Sequence, residues 1–384
     1  MPPRPAFLMD ELVEEILFRL PPDEPACLFR LSGLSKPWSS LLSDPSFHHH
    51  YRKFHLTPPM LGVIYNGPSH DEMLPVMHLV PTMGSFPLSI FYPPLADLAV
   101  HDCRLDNGED MFMEFVVWDP MTDHRRELSD PCSEYLFNIG TAVLCAVDGC
   151  NHASCHEGPF HVVFVGIDVE VGIATAYKYL SETGEWSAPT SELALVDELD
   201  IGVDYDFING LVVEDSYLKA MHSVLVEDSL HFLLMYGPQG ARILKYDAGR
   251  HCLSVITPPA EAAVYDRGTV LIATEDGRLG VAHLDKLILH LWSREAGPDG
   301  VAVWTEHRVI DLMPSLPIGD PAIKVKLIGS MEGTNIIFAN TALGVYAIDL
   351  KLLRSRKLCE GQHIRFLFPF MSFYNPLGIL IYYV

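Results

Sequence analysis

From about residue 60 onward the chain consists of short β-rich runs separated by turn signals, and this constrains its fold more than any other feature. The runs include "LGVIY", "EFVVW", "HVVFVGI", "TAYKYL", "SVLVED", "LHFLLMY", "RILKYD", "TVLIATEDGRLGVAHL", "NIIFAN" and "GVYAIDL". Many short strands without long helical periodicity argue an all-β fold. The glycine-bearing segments "SETGEW", "TEDGRLG", "YDAGRH" and "SMEGTN" suit hairpin turns. A weak internal repeat also shows: a strand ends in aromatic or aliphatic residues, turns on Asp, Ser or Gly, and resumes toward a second strand. It occurs in "VVWDPMTDHRREL", "YKYLSETGEWSAP", "LKYDAGRHCLSVI", "LHLWSREAGPDGVAVW" and "YAIDLKLLRSRKL". These starts lie roughly 45 to 65 residues apart, near or above the length of one four-stranded blade. A β-propeller is therefore the expected architecture, with a sandwich as the alternative.

The first fifty residues break this pattern. In "FLMDELVEEILFRLPP", Leu8, Leu12, Ile16, Leu17 and Leu20 recur at helical spacing and predict one apolar face. Asp10, Glu11, Glu14 and Glu15 line the other face, in the turns where the helix dipole favours negative charge. Pro21-Pro22 ends this helix. A second helical piece is predicted through Leu28, Phe29, Leu31 and Leu34, and apolar material continues through Trp38, Leu41 and Leu42 to a turn at Asp44-Pro45. A unit of this size can barely bury so much apolar surface alone, so part of it calls for a partner or for the body behind it.

The order of residues in "LMDELVEEILFRLPP", "LSGLSKPW" and "SLLSDPSF" resembles the F-box, the helical module that docks F-box proteins onto the Skp-type adaptor of a cullin ubiquitin ligase. By that likeness Leu8, Leu12, Ile16, Leu17, Leu20, Pro21, Leu34 and Trp38 would carry the adaptor contact. Met9 stands where the family usually has proline, and Gly33 and Pro37 fall where a continuous helix would be weakened. The remainder resembles the F-box-associated and kelch-like propeller domains of plant F-box proteins, through "VWDPMTDHRREL" and the final "FLFPFMSFYNP". The resemblance implies an F-box over residues 7–54, a propeller-like domain over 56–376 and a hydrophobic tail over 377–384. It also implies a non-catalytic substrate receptor whose partners are the adaptor, a cullin scaffold and a protein target. A stand-alone interaction protein with a degenerate F-box, and a carbohydrate-binding or hydrolytic propeller, are the alternatives.

Charge narrows the partners. The net charge of −24 repels phosphate backbones, which argues against nucleic acid. Residues 97–228 hold 27 acidic against 5 basic side chains, either a face for a basic partner or a set of solvated loops. No run of about 18 apolar residues occurs, and "MPPRPAFLMDELVEE" lacks a secretory pattern. A soluble protein of the cytoplasm or nucleus is expected, with no membrane partner and with its eight cysteines as free thiols.

Chemistry-bearing clusters are few. Cys145, Cys150, His152, Cys155, His156 and His161 gather within "CAVDGCNHASCHEGPFH", but their spacing matches no standard zinc knuckle. The histidines of "FHHHYRKFH" point in different directions on a helix. The acidic segment 196–207 lacks the alternation of a calcium-binding loop. No nucleophile elbow, phosphate-binding loop or dinucleotide fingerprint is present, so no cofactor and no catalytic residue is expected.

Overall fold

The structure is a computed structural model that describes residues 10–55, 58–67, 76–81, 102–106, 110–119, 124–131, 137–147, 158–168, 173–193, 218–220, 223–236, 240–263, 268–297, 299, 301–318, 323–360, 364, 367–371 and 373. A short N-terminal helical region precedes a large all-β domain.

Four helices form where the sequence predicts two: α1 (Asp10–Phe18), α2 (Pro25–Ser32), α3 (Lys36–Leu42) and α4 (Pro45–His55). The extra boundaries come from local capping. Pro25 opens α2, where a missing amide donor costs nothing. The Ser35 hydroxyl caps α3 by accepting from Trp38 N at 3.4 Å. Asp44 Oδ1 accepts from Ser46 N at 2.7 Å at the start of α4. Val13, Leu17, Leu28, Leu42, Phe47 and Tyr51 form the helical core, and Phe373 from the far end of the chain joins them. The Tyr51 hydroxyl donates to Leu20 O at 2.9 Å and His55 Nε2–H to Phe18 O at 2.8 Å. These bonds occupy carbonyls that the end of α1 would otherwise leave unpaired.

The β domain is a succession of antiparallel sheets in chain order. Sheet I pairs β1 (Met60–Gly67) with β2 (Val76–Pro81) on one side. Sheet II contains β3 (Asp102–Asp106), β4 (Asp110–Asp119) and β5 (His124–Leu128). Sheet III contains β6 (Phe137–Cys145), β7 (Phe160–Asp168), β8 (Ile173–Leu180), β9 (Glu185–Trp186) and β10 (Thr190–Leu193). Sheet IV contains β11 (Leu218–Ala220), β12 (Val224–Val226), β13 (Ser229–Tyr236), β14 (Gly240–Asp247) and β15 (Cys252–Ile256). Sheet V runs β16 (Thr269–Ala273), β17 (Leu279–Asp285), β18 (Ile288–Ala296), β19 (Ala302–Asp311). Sheet VI runs β20 (Val325–Met331), β21 (Ile336–Thr341), β22 (Gly344–Asp349), β23 (Arg354–Cys359). The last strand, β24 (Leu367–Met371), returns to pair with the first, β1. Up-and-down sheets in chain order, with the first and last strands meeting in one of them, are the topology of a propeller.

The five sequence repeats are the outer hairpins of sheets II to VI, joining β4–β5, β8–β9, β14–β15, β18–β19 and β22–β23. Their turns share a device in two cases. Asp247 Oδ1 accepts from Arg250 N, and Asp349 Oδ1 from Lys351 N and Leu352 N, each at 2.8 Å. His251 and Leu353 then take left-handed conformations with φ of 51° and 53° just before the next strand.

Successive sheets are tied together in a regular way. A side-chain donor at the outer strand of one sheet bonds a carbonyl shortly past the outer strand of the sheet before it. Trp186 Nε1 donates to Ser129 O at 2.7 Å, His251 Nε2 to Ala188 O at 2.7 Å and Trp304 Nε1 to Thr257 O at 2.8 Å. Ser355 Oγ donates to Ser315 O at the next junction. Each such bond contributes about 1 kcal/mol net, and together they tie the outer edges of neighbouring sheets.

The apolar core lies between sheets. Its largest cluster joins sheets IV, V and VI through residues such as Leu233, Ile243, Val281, Leu289 and Ile337. His231 on β13 is buried in this body, with Nδ1 unpaired among the described residues. Burial, and next the Lys245 charge, pull its pKa down to about 4. The neutral form is therefore the folded form, and the unfolded chain binds more protons between pH 4 and 6.5. Stability from this site is fully present above about pH 6.5 and is lost as pH falls to about 4, up to about 3 kcal/mol. Denaturant midpoints from pH 7 to 4 should show this slope in the intact chain and a shallower one in His231→Phe.

Candidate functional site

The apolar stripe of α1 divides in two. Val13 and Leu17 face inward at 6% and 1% exposure, while Leu12 and Ile16 stand 46% and 52% exposed. Both pairs have the i, i+4 spacing of a single helix face, and the two faces lie about 100° apart. The single apolar face expected for Leu8, Leu12, Ile16, Leu17 and Leu20 is thereby corrected: Leu17 belongs to the core with Val13, which the sequence pattern did not single out. Leu20 and Trp38 are half-buried, and Pro21 is exposed. Leu34, in the turn between α2 and α3, is 69% exposed. Leu8 lies outside the described residues.

An isoleucine and two leucines are thus left in water on one small helical unit, and each has apolar area to gain from a partner. Phe54 on α4 is another exposed apolar residue, with its ring 6.4 Å from that of Phe18. The α1 surface is flanked by charge, since Arg19 pairs with Glu15 at 2.6 Å.

Gly33 and Pro37 do not interrupt helices. Gly33 is the residue after α2, with φ −79° and ψ −13°, and Pro37 lies in the first turn of α3. A Cβ at Gly33 would meet Arg30 O at 3.5 Å, an ordinary contact. Gly33→Ala should therefore raise the stability of the helical region by about 0.5 kcal/mol, because it restricts the unfolded chain without straining the folded one. Hydrogen exchange across α2 and α3 would register the change.

On the β domain, a cleft of about 470 Å³ opens between sheets V and VI, lined by Glu275, Asp276, Trp292, His307, Arg308 and Lys351 among others. Ser293, His307 and Glu295 meet there, but Ser293 Oγ and Glu295 Oε1 both face Nε2 of His307. A nucleophile–base–acid relay needs the two partners on opposite ring nitrogens, so this cluster is not one. Glu295 also takes Arg278 at 3.0 Å and hydroxyl donors from Ser293 and Thr305 at 3.4 Å, which fills its accepting capacity. Lys351 bridges the cleft to Glu275 at 3.7 Å.

Of the Cys/His cluster, Cys145 and His161 are described, and residues 148–157 between them lie outside the described residues. Burial and the Lys178 charge push the His161 pKa down. Among the described residues no three metal-ligating side chains come together. The acidic segment 196–207 and the tail 377–384 also lie outside. No described helix is long and apolar enough to cross a membrane.

Residues 8–50 match the family model of the F-box domain. Three similar solved structures are the Dos1 propeller, the WD40 domain of SCAP from fission yeast, and the Aleuria aurantia fungal lectin with a six-bladed β-propeller fold. The Dos1 propeller is 10% identical with TM-score 0.33, over 79% of this chain and 61% of its own. The SCAP domain is 14% identical with TM-score 0.33, over 67% and 48%. The lectin is 9% identical with TM-score 0.31, over 61% and 69%. The chain spans less than two thirds of the length of the Dos1 propeller and of the SCAP domain, and the propeller assignment stands on its own strand order. No curated protein matches the chain.

Proposed function

We propose that this chain is a substrate-recognition subunit of a Skp–cullin–F-box ubiquitin ligase. The helical module, residues 7–54, binds a Skp-type adaptor and through it a cullin scaffold. The β domain, residues 56–376, holds a protein target. One observation carries this reading: the residues that match the F-box domain leave Leu12, Ile16 and Leu34 in solvent, while Val13, Leu17, Leu28, Leu42 and Phe47 close the core beneath them. F-box domains bind Skp-type adaptors, and an apolar helix face is what such a contact buries.

The proposed role needs no catalytic residue in this chain. Holding a target beside a ubiquitin-charged enzyme raises the effective concentration of its lysines at the reactive thioester, and the acceleration comes from that proximity. Each buried Leu or Ile contributes about 1.5–3 kcal/mol to the adaptor contact before the costs of association. The place of action is then the cytoplasm or nucleus.

The test is direct binding of a purified recombinant Skp-type adaptor to the full chain at near-physiological salt. A stable one-to-one complex on size-exclusion chromatography is expected. Absence of binding by the intact, folded chain would remove the ligase reading and leave a stand-alone interaction protein.

A further inference from the structure

Phe373 lies two residues beyond the end of β24, yet it is 4% exposed and packs among the core residues of the four-helix module. Its ring sits edge-on to Tyr51 of α4, with centroids 6.2 Å apart and planes at 82°. The register explains how it gets there. Met371, the last residue of β24, pairs with Met60, the first of β1. The chain that leaves α4 at His55 and enters β1 at Met60 therefore meets the chain that leaves β24 at the same end of one strand pair.

Among the described residues, two adjacent attachments of the helical module to the β domain are seen. One is the covalent run from α4 into β1. The other is an aromatic side chain two residues past β24, available only after β24 has closed on β1. We propose that Phe373 is a coupling pin: the core of the helical module is completed only when the ring of sheets is closed, and closure fixes the module against the sheet that carries it. A tether alone would let the module turn about the chain between residues 55 and 60, whereas a second attachment in its core removes that freedom. In combination with the ligase reading above, on which this consequence rests, incomplete or unclosed chains present a weakened docking module, and closed ones hold their target at a fixed orientation to the adaptor.

Hydrogen exchange on the full chain tests this, comparing the unmodified protein with Phe373→Ala and Phe373→Leu. In Phe373→Ala, amides of α1 and α4 should exchange on the order of a hundredfold faster, while those of sheets III to V keep their protection. Phe373→Leu, which refills most of the volume, should lie close to the unmodified chain. Unchanged protection of α1 and α4 in Phe373→Ala would overturn the proposal. So would loss of protection by every sheet along with the helices, because Phe373 would then support the whole body rather than couple one module to it. Adaptor affinity measured on the same proteins should fall in the same order. Because the exchange readout contains no adaptor, failure of the ligase reading and failure of the pin are told apart.

Discussion

Replacing Leu12 and Ile16 together by aspartate is expected to abolish adaptor capture while changing the stability of the chain by no more than about 1 kcal/mol. Both side chains are about half in solvent, so the folded state loses little when they become polar. Leu12 lies in the first turn of the nine-residue α1, where a carboxylate interacts favourably with the dipole, and this offsets the few tenths of a kcal/mol that a carboxylate at Ile16, in the last turn, costs. The docked state loses two apolar anchors and must desolvate two charges in their place, which costs far more than about 4 kcal/mol in binding, over a thousandfold. The neighbouring pair gives the opposite phenotype. Val13→Asp/Leu17→Asp places charges in the core against Phe47 and Tyr51, and the helical module should unfold with the β domain intact. Circular dichroism, hydrogen exchange and adaptor titration on the two double variants separate docking from folding on a single helix. Equal loss of structure in both would show that Leu12 and Ile16 serve the fold and not a partner.

That contrast also shows what the sequence could reveal. The β body was legible because each strand must satisfy a strong local rule, alternation or a short apolar run closed by a turn residue, and such rules leave marks within ten residues. The outer-hairpin repeat was legible for the same reason, down to Asp247 and Asp349 at equivalent turns. The ties from Trp186, His251 and Trp304 were not, because their acceptors are backbone carbonyls on another sheet and carry no residue signature.

In the helical module the sequence marked apolar positions but not their direction. A docking face and a core face are chemically alike, so five residues at helical spacing read as one stripe until Val13 is seen to draw Leu17 inward. Gly33 and Pro37 read as defects only while α2 and α3 are taken for one helix, and the Ser35 cap turns them into boundaries. In the sequence Phe373 is only one aromatic among several in the final "FLFPFMSFYNP". Its burial against Tyr51 joins opposite ends of the chain, and no local pattern encodes such a contact.

The seam of the ring is where one substitution should do most damage to the β domain. Leu367 on β24 is fully buried opposite Tyr65 of β1, in a cluster with Val63, Ile328, Phe338 and Val345 that joins sheet I to sheet VI. Leu367→Asp puts an unpaired carboxyl there, with an expected loss of about 4 kcal/mol or more and an unfolding transition that is no longer a single step. The size follows from closure: with β24 displaced, β1 loses one of its two partners and sheet VI loses the neighbour that covers its apolar face. The same chemical change at Val309, 54% exposed on the edge strand β19, should cost less than about 0.5 kcal/mol. The buried carboxyl would have its pKa raised in the folded state, so its penalty grows as pH rises through the unfolded value near 4 and shrinks below it. Measured as the difference from the unmodified chain at each pH, which cancels the His231 contribution, the deficit of Leu367→Asp should narrow toward pH 4 while that of Val309→Asp stays flat. A flat, small deficit in both would mean that β24 can leave β1 at little cost, and that the sheets hold together without the closure their topology describes.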